Sequence, residues 1–205
     1  MDSKALFNLS YGIFVLGTKT ESGINDCSTN TCIQVAADPV RIAISVINKN
    51  KTCEMIKESG VFSLGVLDKS CTFDLIKHFG MQSGRDVNKF ADFPYTLDVN
   101  GCPVINQSVC SVFSCKVVSK EDLGTHTLFI ATVTDMETIS DTPSATYTYY
   151  QSHIKEDLKP AGKTAEGKTI WKCTVCGYEY VGDVLPEDFI CPLCKHPASD
   201  FEKVQ

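Results

Sequence analysis

Four cysteines near the C-terminus form two close pairs, Cys173-Thr-Val-Cys176 and Cys191-Pro-Leu-Cys194. Two residues between paired cysteines let one tight turn direct both sulfurs at the same metal ion. Two such turns facing each other complete a tetrahedron of four thiolates, which holds zinc or iron at similar bond lengths. A segment as short as 169–205 has too small a core to fold by apolar packing alone. We therefore expect a bound metal to be part of its fold.

The residues around the two pairs resemble those of a rubredoxin, the family of one-iron electron carriers. The resemblance rests on Trp171, Cys176-Gly-Tyr178, Phe189 and Cys191-Pro192. Only 14 residues separate the pairs, as in the terminal module of rubrerythrins. The resemblance implies one iron bound by Cys173, Cys176, Cys191 and Cys194. A structural zinc ribbon uses the same ligand set, so zinc remains the alternative.

Composition places the chain among globular proteins. Its 205 residues are 43% apolar and 21% charged, which is enough for one ordinary domain and a small one. No apolar run approaches a membrane span, and the N-terminus does not lead into a signal peptide, so we expect a cytoplasmic protein without membrane contact. An odd number of further cysteines without a pairing pattern favours free thiols in a reducing compartment: Cys27, Cys32, Cys53, Cys71, Cys102, Cys110 and Cys115.

The formal net charge is −6. An acidic surface disfavours nucleic acid as a partner and suits docking to a basic patch on a redox protein. Ordinary surface charge is an equally good account of an excess this small.

A change in composition marks the domain boundary. Residues 159–168 contain a proline, two glycines and no large apolar side chain, which is typical of a flexible linker with a reach of about 18 Å. The sequence therefore predicts a first domain over 1–156, a linker over 157–168 and a metal-binding domain over 169–205.

The first domain is predicted to be mainly β. Short segments rich in β-branched residues indicate strands: 11–17, 32–36, 40–47, 61–67, 110–118 and 126–134. In the third of these, Ile42, Ile44 and Val46 alternate with smaller residues, as in a half-buried strand. Asn100-Gly101 predicts a hairpin turn. Two short helices are predicted at 52–60 and 72–80, each beginning at a threonine cap and ending at glycine. Many strands with few helices favour a closed barrel.

Several stretches of the first domain resemble the flavin reductase family, whose fold is the FMN-binding split barrel. They occur in the family's order along the chain: 5–12, 30–39, 48–52, 79–90 and 124–130. The resemblance implies FMN as the cofactor and a mainly β fold, a split barrel with short helices, followed here by the small rubredoxin-like metal-binding domain. Barrels of this family are usually homodimers, so a homodimer is expected.

The resemblance also implies a set of cofactor-binding residues. Asn30, Thr31 and Cys32 occupy positions that contact the flavin or its phosphate. Ser45 and the segment 48–52 supply polar donors, and the start of the predicted helix at Thr52 favours an anion. The individual residues of these groups are Asn30, Thr31, Cys32, Ser45, Asn48, Lys51 and Thr52.

A second group lies further along the chain. Ser83, Gly84, Arg85 and Lys89 occupy a loop from which a basic segment can reach the flavin or the nicotinamide nucleotide. His126 opens a strand and matches the family's histidine near the flavin ring, where it is the candidate catalytic residue. A surface loop and a structural histidine are the simpler alternatives for these positions.

The two resemblances together imply an electron relay. NADH or NADPH gives two electrons as a hydride, whereas one iron accepts a single electron, so FMN is needed between them. Joined in one chain, the two parts resemble the NAD(P)H:rubredoxin-type oxidoreductases of anaerobes, which reduce flavodiiron proteins and so remove oxygen or nitric oxide. Two alternatives remain open: an FMN and iron carrier reduced by another protein, and a flavin or ferric reductase with a structural zinc ribbon.

Overall fold

The computed structural model describes residues 8–155, 169–174, 178–191 and 197–204. The chain divides into two compact units, Met1–Lys155 and Glu156–Gln205. The predicted linker at 157–168 lies outside the described residues. Each unit has its own sheet and its own apolar core. No helix within the described ranges combines the length and the apolar character that crossing a bilayer requires.

The first unit is mainly β, as predicted. Its strands are β1 (Phe14–Thr20), β2 (Gly23–Thr29), β3 (Cys32–Ala37), β4 (Val40–Ile47), β5 (Val61–Leu67), β6 (Thr96–Leu97), β7 (Pro103–Val104), β8 (Val109–Asp122) and β9 (His126–Thr138). Its helices are α1 (Lys51–Ser59), α2 (Phe73–Gly80) and α3 (Tyr147–Tyr149), which continues into a π-helical turn over Tyr150–Ile154. The strand predictions did not include β2, because Asn25 and Asp26 give it a polar composition that is rare in strands.

Seven strands form one antiparallel sheet in the order β2-β1-β5-β8-β9-β4-β3. Buried side chains from β1, β2, β4, β5, β8 and β9 meet in a single cluster with α1, so the sheet curls around a common interior. A second cluster packs α2 against the other face of β1. Strands β2 and β3 lie at the two ends of the ladder, so the barrel is split between them rather than closed.

Strand β4 confirms the alternation read from the sequence. Ile42, Ile44 and Val46 are 5%, 0% and 2% exposed, and all three belong to the interior cluster. Successive side chains of a strand point to opposite faces, so these three share the inner face.

The helix ends agree with the sequence at one helix and differ at the other. Thr72 caps α2, and its hydroxyl accepts a hydrogen bond from the N–H of Leu75 at 3.3 Å. Thr52 is not a cap, because α1 begins one residue earlier and its N-cap is Asn50. Gly60 ends α1 as predicted, with φ at 68° and its N–H bonded to the carbonyl of Ile56.

The predicted hairpin at Asn100-Gly101 is present, with a longer loop than the dipeptide suggests. Strands β6 and β7 pair through Leu97 and Pro103, so residues 98–102 form the loop. Gly101 adopts a φ of 75°, which is the reason for glycine at this position. The Asp98 carboxylate accepts the N–H groups of Asn100 and Cys102 at 2.9 and 2.7 Å and holds the loop together.

The second unit contains a small antiparallel sheet of β10 (Ile170–Cys173), β11 (Glu179–Val181) and β12 (Phe201–Val204) in the order β11-β10-β12. Among its described residues, Cys173, Cys191 and Phe201 form a buried cluster, and Ile170 and Val204 are also buried. Partly buried side chains surround this core: Trp171, Tyr178, Tyr180, Leu185 and Phe189. A core of this size supports the expectation that the segment needs a metal to fold.

Candidate functional site

The second unit places one cysteine from each pair in the same core. Cys173 is the last residue of β10, and its N–H donates to the carbonyl of Tyr178 at 2.8 Å. Ile190, the residue before Cys191, forms an isolated antiparallel bridge with Pro197. The first cysteine of each predicted pair therefore lies at or next to backbone pairing among the described residues.

The two described cysteines are deeply buried. Cys173 is 1% exposed and Cys191 is 0% exposed. Cys176 and Cys194, the other two predicted ligands, lie outside the described residues. Within the described ranges no group of three or more metal-binding side chains occurs. Cys173 and Cys191, one from each predicted pair, lie in the same cluster. They fit two of the four donors of a tetrahedral metal site, and the sequence predicts Cys176 and Cys194 as the other two.

Aromatic rings cover this thiol cluster. Phe189 contacts Tyr180 and Phe201, with ring centroids 4.8 and 5.3 Å apart. The indole N–H of Trp171 donates to the carbonyl of Gly182 at 3.0 Å and fixes the ring at the sheet. Rings at these positions would limit the access of water to a metal at the predicted site.

In the first unit, four predicted residues meet beside the start of α1. The Lys51 ammonium donates to the carbonyl of Gly84 at 2.9 Å. Arg85 forms an ion pair with Glu54 of α1, in which both side chains are about half exposed. The N–H of Arg85 donates to the hydroxyl of Ser83 at 3.1 Å. Glu54 offsets one of the two cations, so the group formed by Lys51, Arg85 and Glu54 keeps a net positive charge beside the N-terminal end of a helix, which favours an anion such as a phosphate.

Thr52 faces the interior rather than this surface. It is 1% exposed, and its hydroxyl accepts a hydrogen bond from the side-chain amide of Asn25 at 2.7 Å. Burial raises the pKa of the Cys27 thiol to about 11, and the Thr52 hydroxyl opposes this by a smaller amount. Thr52 thus ties α1 to β2.

A second set of predicted residues lies where β2 passes into β3. Asn30 and Thr31 are half-buried, and the Thr31 hydroxyl donates to the Asn30 side-chain oxygen at 3.1 Å. Cys32 begins β3 opposite Ile44, and burial raises the pKa of its thiol to about 12. Ser45 is the next residue of β4 and is also half-buried. These four residues present polar atoms near the surface at one end of the ladder.

Asn48 and His126 lie near each other at the C-terminal end of β4, the same end of the strand as Ser45. His126 opens β9 as predicted and pairs with Ile47, and its ring Nδ1 is 2.9 Å from the Thr125 hydroxyl. The Asn48 amide donates to the Asp122 carboxylate at 3.0 Å and to the Gly124 carbonyl at 2.9 Å. The Asn48 side chain therefore holds the β8–β9 hairpin in place.

Lys89 points away from the predicted nucleotide surface. It is 4% exposed, and its ammonium donates to the carbonyls of Asp26 and Phe79 at 2.8 and 2.7 Å. The Asp26 carboxylate is 0% exposed and lies 3.9 Å from the Lys89 ammonium. Burial raises the pKa of Asp26 to about 8, against the opposing attraction of Lys89, and burial also lowers the pKa of Lys89.

Asn25 and Asp26 are the residues that sequence reasoning missed. Both lie on β2, which the strand predictions did not include, and both are buried. Asn25 and Asp26 are adjacent polar residues in a segment without an apolar run. Such a segment looks the same in the sequence as a surface turn. Without β2 the sequence offers no partner for Thr52 or Lys89, and both residues were therefore predicted to bind the cofactor.

Comparison with known proteins assigns both units. Residues 6–156 match the family model described as flavin reductase like domain, and residues 171–202 match the one described as rubrerythrin, rubredoxin-like domain. Among solved structures, the flavin reductase PheA2 in its native state is 26% identical and superposes with a TM-score of 0.58, covering 70% of this chain and 92% of that chain.

Two curated relatives cover most or all of the chain. The high molecular weight rubredoxin of Moorella thermoacetica is 32% identical, with 100% of each chain covered. The ferric-chelate reductase (NAD(P)H) of Archaeoglobus fulgidus is also 32% identical, over 83% of this chain and 98% of that protein.

Proposed function

Because the chain belongs to the flavin reductase family and ends in a rubredoxin-like domain, we propose that it passes electrons from NAD(P)H through FMN to an iron held by four cysteines. As a member of that family the chain is an oxidoreductase. One observation carries the proposal: both parts occur in one chain, and that chain aligns over its whole length with the whole of the Moorella high molecular weight rubredoxin. The proposed iron ligands are Cys173, Cys176, Cys191 and Cys194.

Bound FMN would accept two electrons as a hydride and return them one at a time, which matches the single-electron capacity of one iron. The chain's part is to bind and orient. Lys51 and Arg85 lie beside the first turn of α1 and would neutralise the FMN phosphate. Asn30, Thr31 and Ser45 present half-buried polar groups for the flavin or its chain. His126, half-buried at the start of β9, would donate a hydrogen bond to the ring.

The proposal includes a flavodiiron protein as the external acceptor, which would reduce oxygen or nitric oxide. The net charge of −6 favours an acceptor with a basic docking surface. A cytoplasmic location is part of the same proposal, because a reducing compartment preserves the free thiols of the first unit.

A homodimer is also part of the proposal. Leu97, Val99, Met136 and Ile139 line one groove and are 60%, 68%, 58% and 39% exposed. Apolar side chains grouped on a surface are typical of an interface between protein molecules. Sedimentation of the Met136→Glu variant tests this point: we expect the parent to sediment as a dimer and the variant as a monomer, and a monomeric parent would refute it.

A ferric or flavin reductase with a structural zinc domain is the second candidate. The match to the ferric-chelate reductase of Archaeoglobus supports it, since that relative is named for reduction of a metal chelate. Under this alternative the cysteines of the second unit would not carry electrons.

The Cys176→Ser variant separates these candidates. In the steady state with NADH or NADPH, the relay predicts that the variant keeps flavin reduction and loses reduction of an added rubredoxin-dependent acceptor. A Cys110→Ser variant is the matched control, because Cys110 is a buried thiol of the first unit. Equal acceptor reduction in parent, Cys176→Ser and Cys110→Ser would favour the zinc alternative. No NAD(P)H-driven reduction in the parent would instead indicate a carrier that another protein reduces.

A further inference from the structure

The segment 81–90 wraps around β2, the strand at one end of the ladder. Strand β2 pairs only with β1 in the described sheet, so its outer edge needs cover. The segment begins directly after α2, and its turn is closed by the N–H groups of Asp86 and Val87, which donate to the carbonyl of Ser83 at 3.0 and 3.1 Å. It contacts β2 at two places, through Lys89 and through Gly84.

The first contact is the buried ammonium of Lys89. It donates to the carbonyl of Phe79, in the last turn of α2, and to the carbonyl of Asp26 on β2. The last carbonyls of a helix lack partners within the helix, and a cation there also interacts favourably with the helix dipole. One ammonium therefore joins the end of α2, the edge strand and the segment that carries Lys89 itself.

The Asp26 carboxylate is the second group on β2 that interacts with Lys89. Both of its oxygens are buried without a hydrogen-bond partner among the described residues. Burial raises the pKa of Asp26 to about 8, and the attraction of the Lys89 ammonium, 3.9 Å away, opposes this increase. Whether it is ionised or protonated, a buried carboxyl group without a polar partner is costly, so removing the lysine would leave an unfavourable site rather than a neutral gap.

The second contact positions Gly84. A Cβ atom at this residue would lie 1.8 Å from the side-chain oxygen of Asn25. Asn25 is 5% exposed, and its side-chain N–H donates to the Thr52 hydroxyl at 2.7 Å. Asn25 therefore cannot move aside without losing its bond to α1. Lys51 binds the Gly84 carbonyl from the other side. The backbone of the segment is thus pressed against β2 and α1 at the residue before Arg85.

We propose that Asp26 and Lys89 are positioning residues that anchor the segment 81–90 across β2 and thereby hold Gly84 and Arg85 beside the start of α1. The inference deepens the proposed function and rests on it, because this is the place assigned to the FMN phosphate. The pair acts through Gly84 and does not touch the reacting atoms. Its loss weakens cofactor binding and leaves the turnover of each bound flavin unchanged.

The Lys89→Met variant of the full chain tests this inference. Two carbonyls and one carboxylate lose their partner, so we expect the dissociation constant for FMN to rise about tenfold or more. The amides of Asp86 and Val87 should exchange hydrogen faster by about the same factor. The turnover number per bound FMN with NAD(P)H should stay within about twofold of the parent, since the chemistry is untouched.

Lys77→Met is the matched control. Lys77 also pairs with an aspartate, Asp74, at 2.6 Å, but both side chains are exposed on α2. Exposed pairs contribute little, so flavin affinity and exchange in 81–90 should match the parent. Equal effects of the two lysine variants would overturn the inference.

A second variant covers the case in which Lys89→Met does not fold. In Asp26→Asn/Lys89→Met no uncompensated carboxylate remains, so folding should be recovered while exchange at Asp86 and Val87 stays fast. Parent-like exchange in the folded variant would overturn the inference. A parent that binds no FMN would refute the proposed function alone, because the exchange measurement still reports whether Lys89 anchors the segment.

Discussion

Cysteine serves two different purposes in the two units. In the first unit the cysteines are free thiols that fill the core, and burial raises the pKa of Cys27 and Cys71 to about 11 and that of Cys102 to about 12. In the second unit Cys173 and Cys191 lie in one small buried cluster with Phe201. Burial raises the pKa of a thiol and so makes it less reactive. The spacing of the second unit's cysteines in two close pairs is what predicts a metal site there.

The largest expected effect is the loss of one metal ligand. Replacing Cys191 by alanine should abolish stoichiometric metal binding and the fold of the second unit, because a structural metal contributes on the order of 10 kcal/mol. The matched variant Cys115→Ala removes a fully buried thiol of the first unit and should cost about 1–2 kcal/mol. Metal analysis and thermal unfolding of both variants measure the difference. Similar losses of stability in Cys191→Ala and Cys115→Ala would contradict the view that the cysteines of the two units have different roles.

Metal removal should act on the same unit without mutation. A strong chelator should release hydrogen-exchange protection at the N–H of Cys173, which bonds the Tyr178 carbonyl at 2.8 Å, because the metal supplies the folding energy of that unit. Amides of the β5–β8 ladder should keep their protection. Unchanged protection at Cys173 would show that the second unit does not depend on a metal, and equal deprotection of both units would show that the dependence is not confined to the second unit.

High pH should act on the first unit through its buried thiols. The Cys27 thiol has an ordinary pKa of 9.0 that burial raises to about 11. The unfolded chain therefore loses this proton first, and stability present below pH 9 is lost as the pH rises towards 11. The expected loss from Cys27 is about 3 kcal/mol, and Cys71 changes in the same direction. Lys89, whose pKa is lowered, opposes this in part.

Denaturant unfolding of the first unit at pH 8, 9, 10 and 11 measures this effect. A Cys27→Ala variant is the control, and it should show a smaller fall in the free energy of unfolding over that range. An equal fall in parent and variant would contradict the assignment of the effect to Cys27.

A helix cap should give the smallest change. Thr72→Ala removes the hydroxyl that accepts the N–H of Leu75 at 3.3 Å and should lower the free energy of unfolding by about 1 kcal/mol. Thr72→Ser keeps the acceptor and should be close to the parent. The first unit is stabilised by many modest contacts and should stay folded without this one, whereas the second unit should unfold when one metal ligand is lost. Global unfolding in Thr72→Ala would contradict that view.

The sequence predicted those parts of the fold that repeat a regular pattern. The alternation of Ile42, Ile44 and Val46 gave β4, and the threonine and glycine at the ends of 72–80 gave α2. The order of loose motifs gave the family, which the comparisons confirm. Spacing alone gave the cysteine pairs, and the structure describes one cysteine of each.

The sequence could not predict which groups the buried polar side chains contact. Lys89 looked like a surface cation because its acceptors are a strand carbonyl and a helix carbonyl 63 and 10 residues away. Thr52 looked like a cap because Asn25, which occupies its hydroxyl, lies 27 residues earlier on an unpredicted strand. Contacts of this kind depend on the folded arrangement, and local propensity does not encode them.

The relay itself is tested most directly by an anaerobic titration of the full chain, loaded with FMN and iron, against NADH or NADPH. Absorption spectra would follow the flavin and the ferric-thiolate bands together. Full reduction takes two electrons at the flavin and one at the iron, so the account predicts that about one and a half equivalents of reduced nucleotide bleach both the flavin band and the ferric band. A ferric band that persists after the flavin is fully reduced would contradict it.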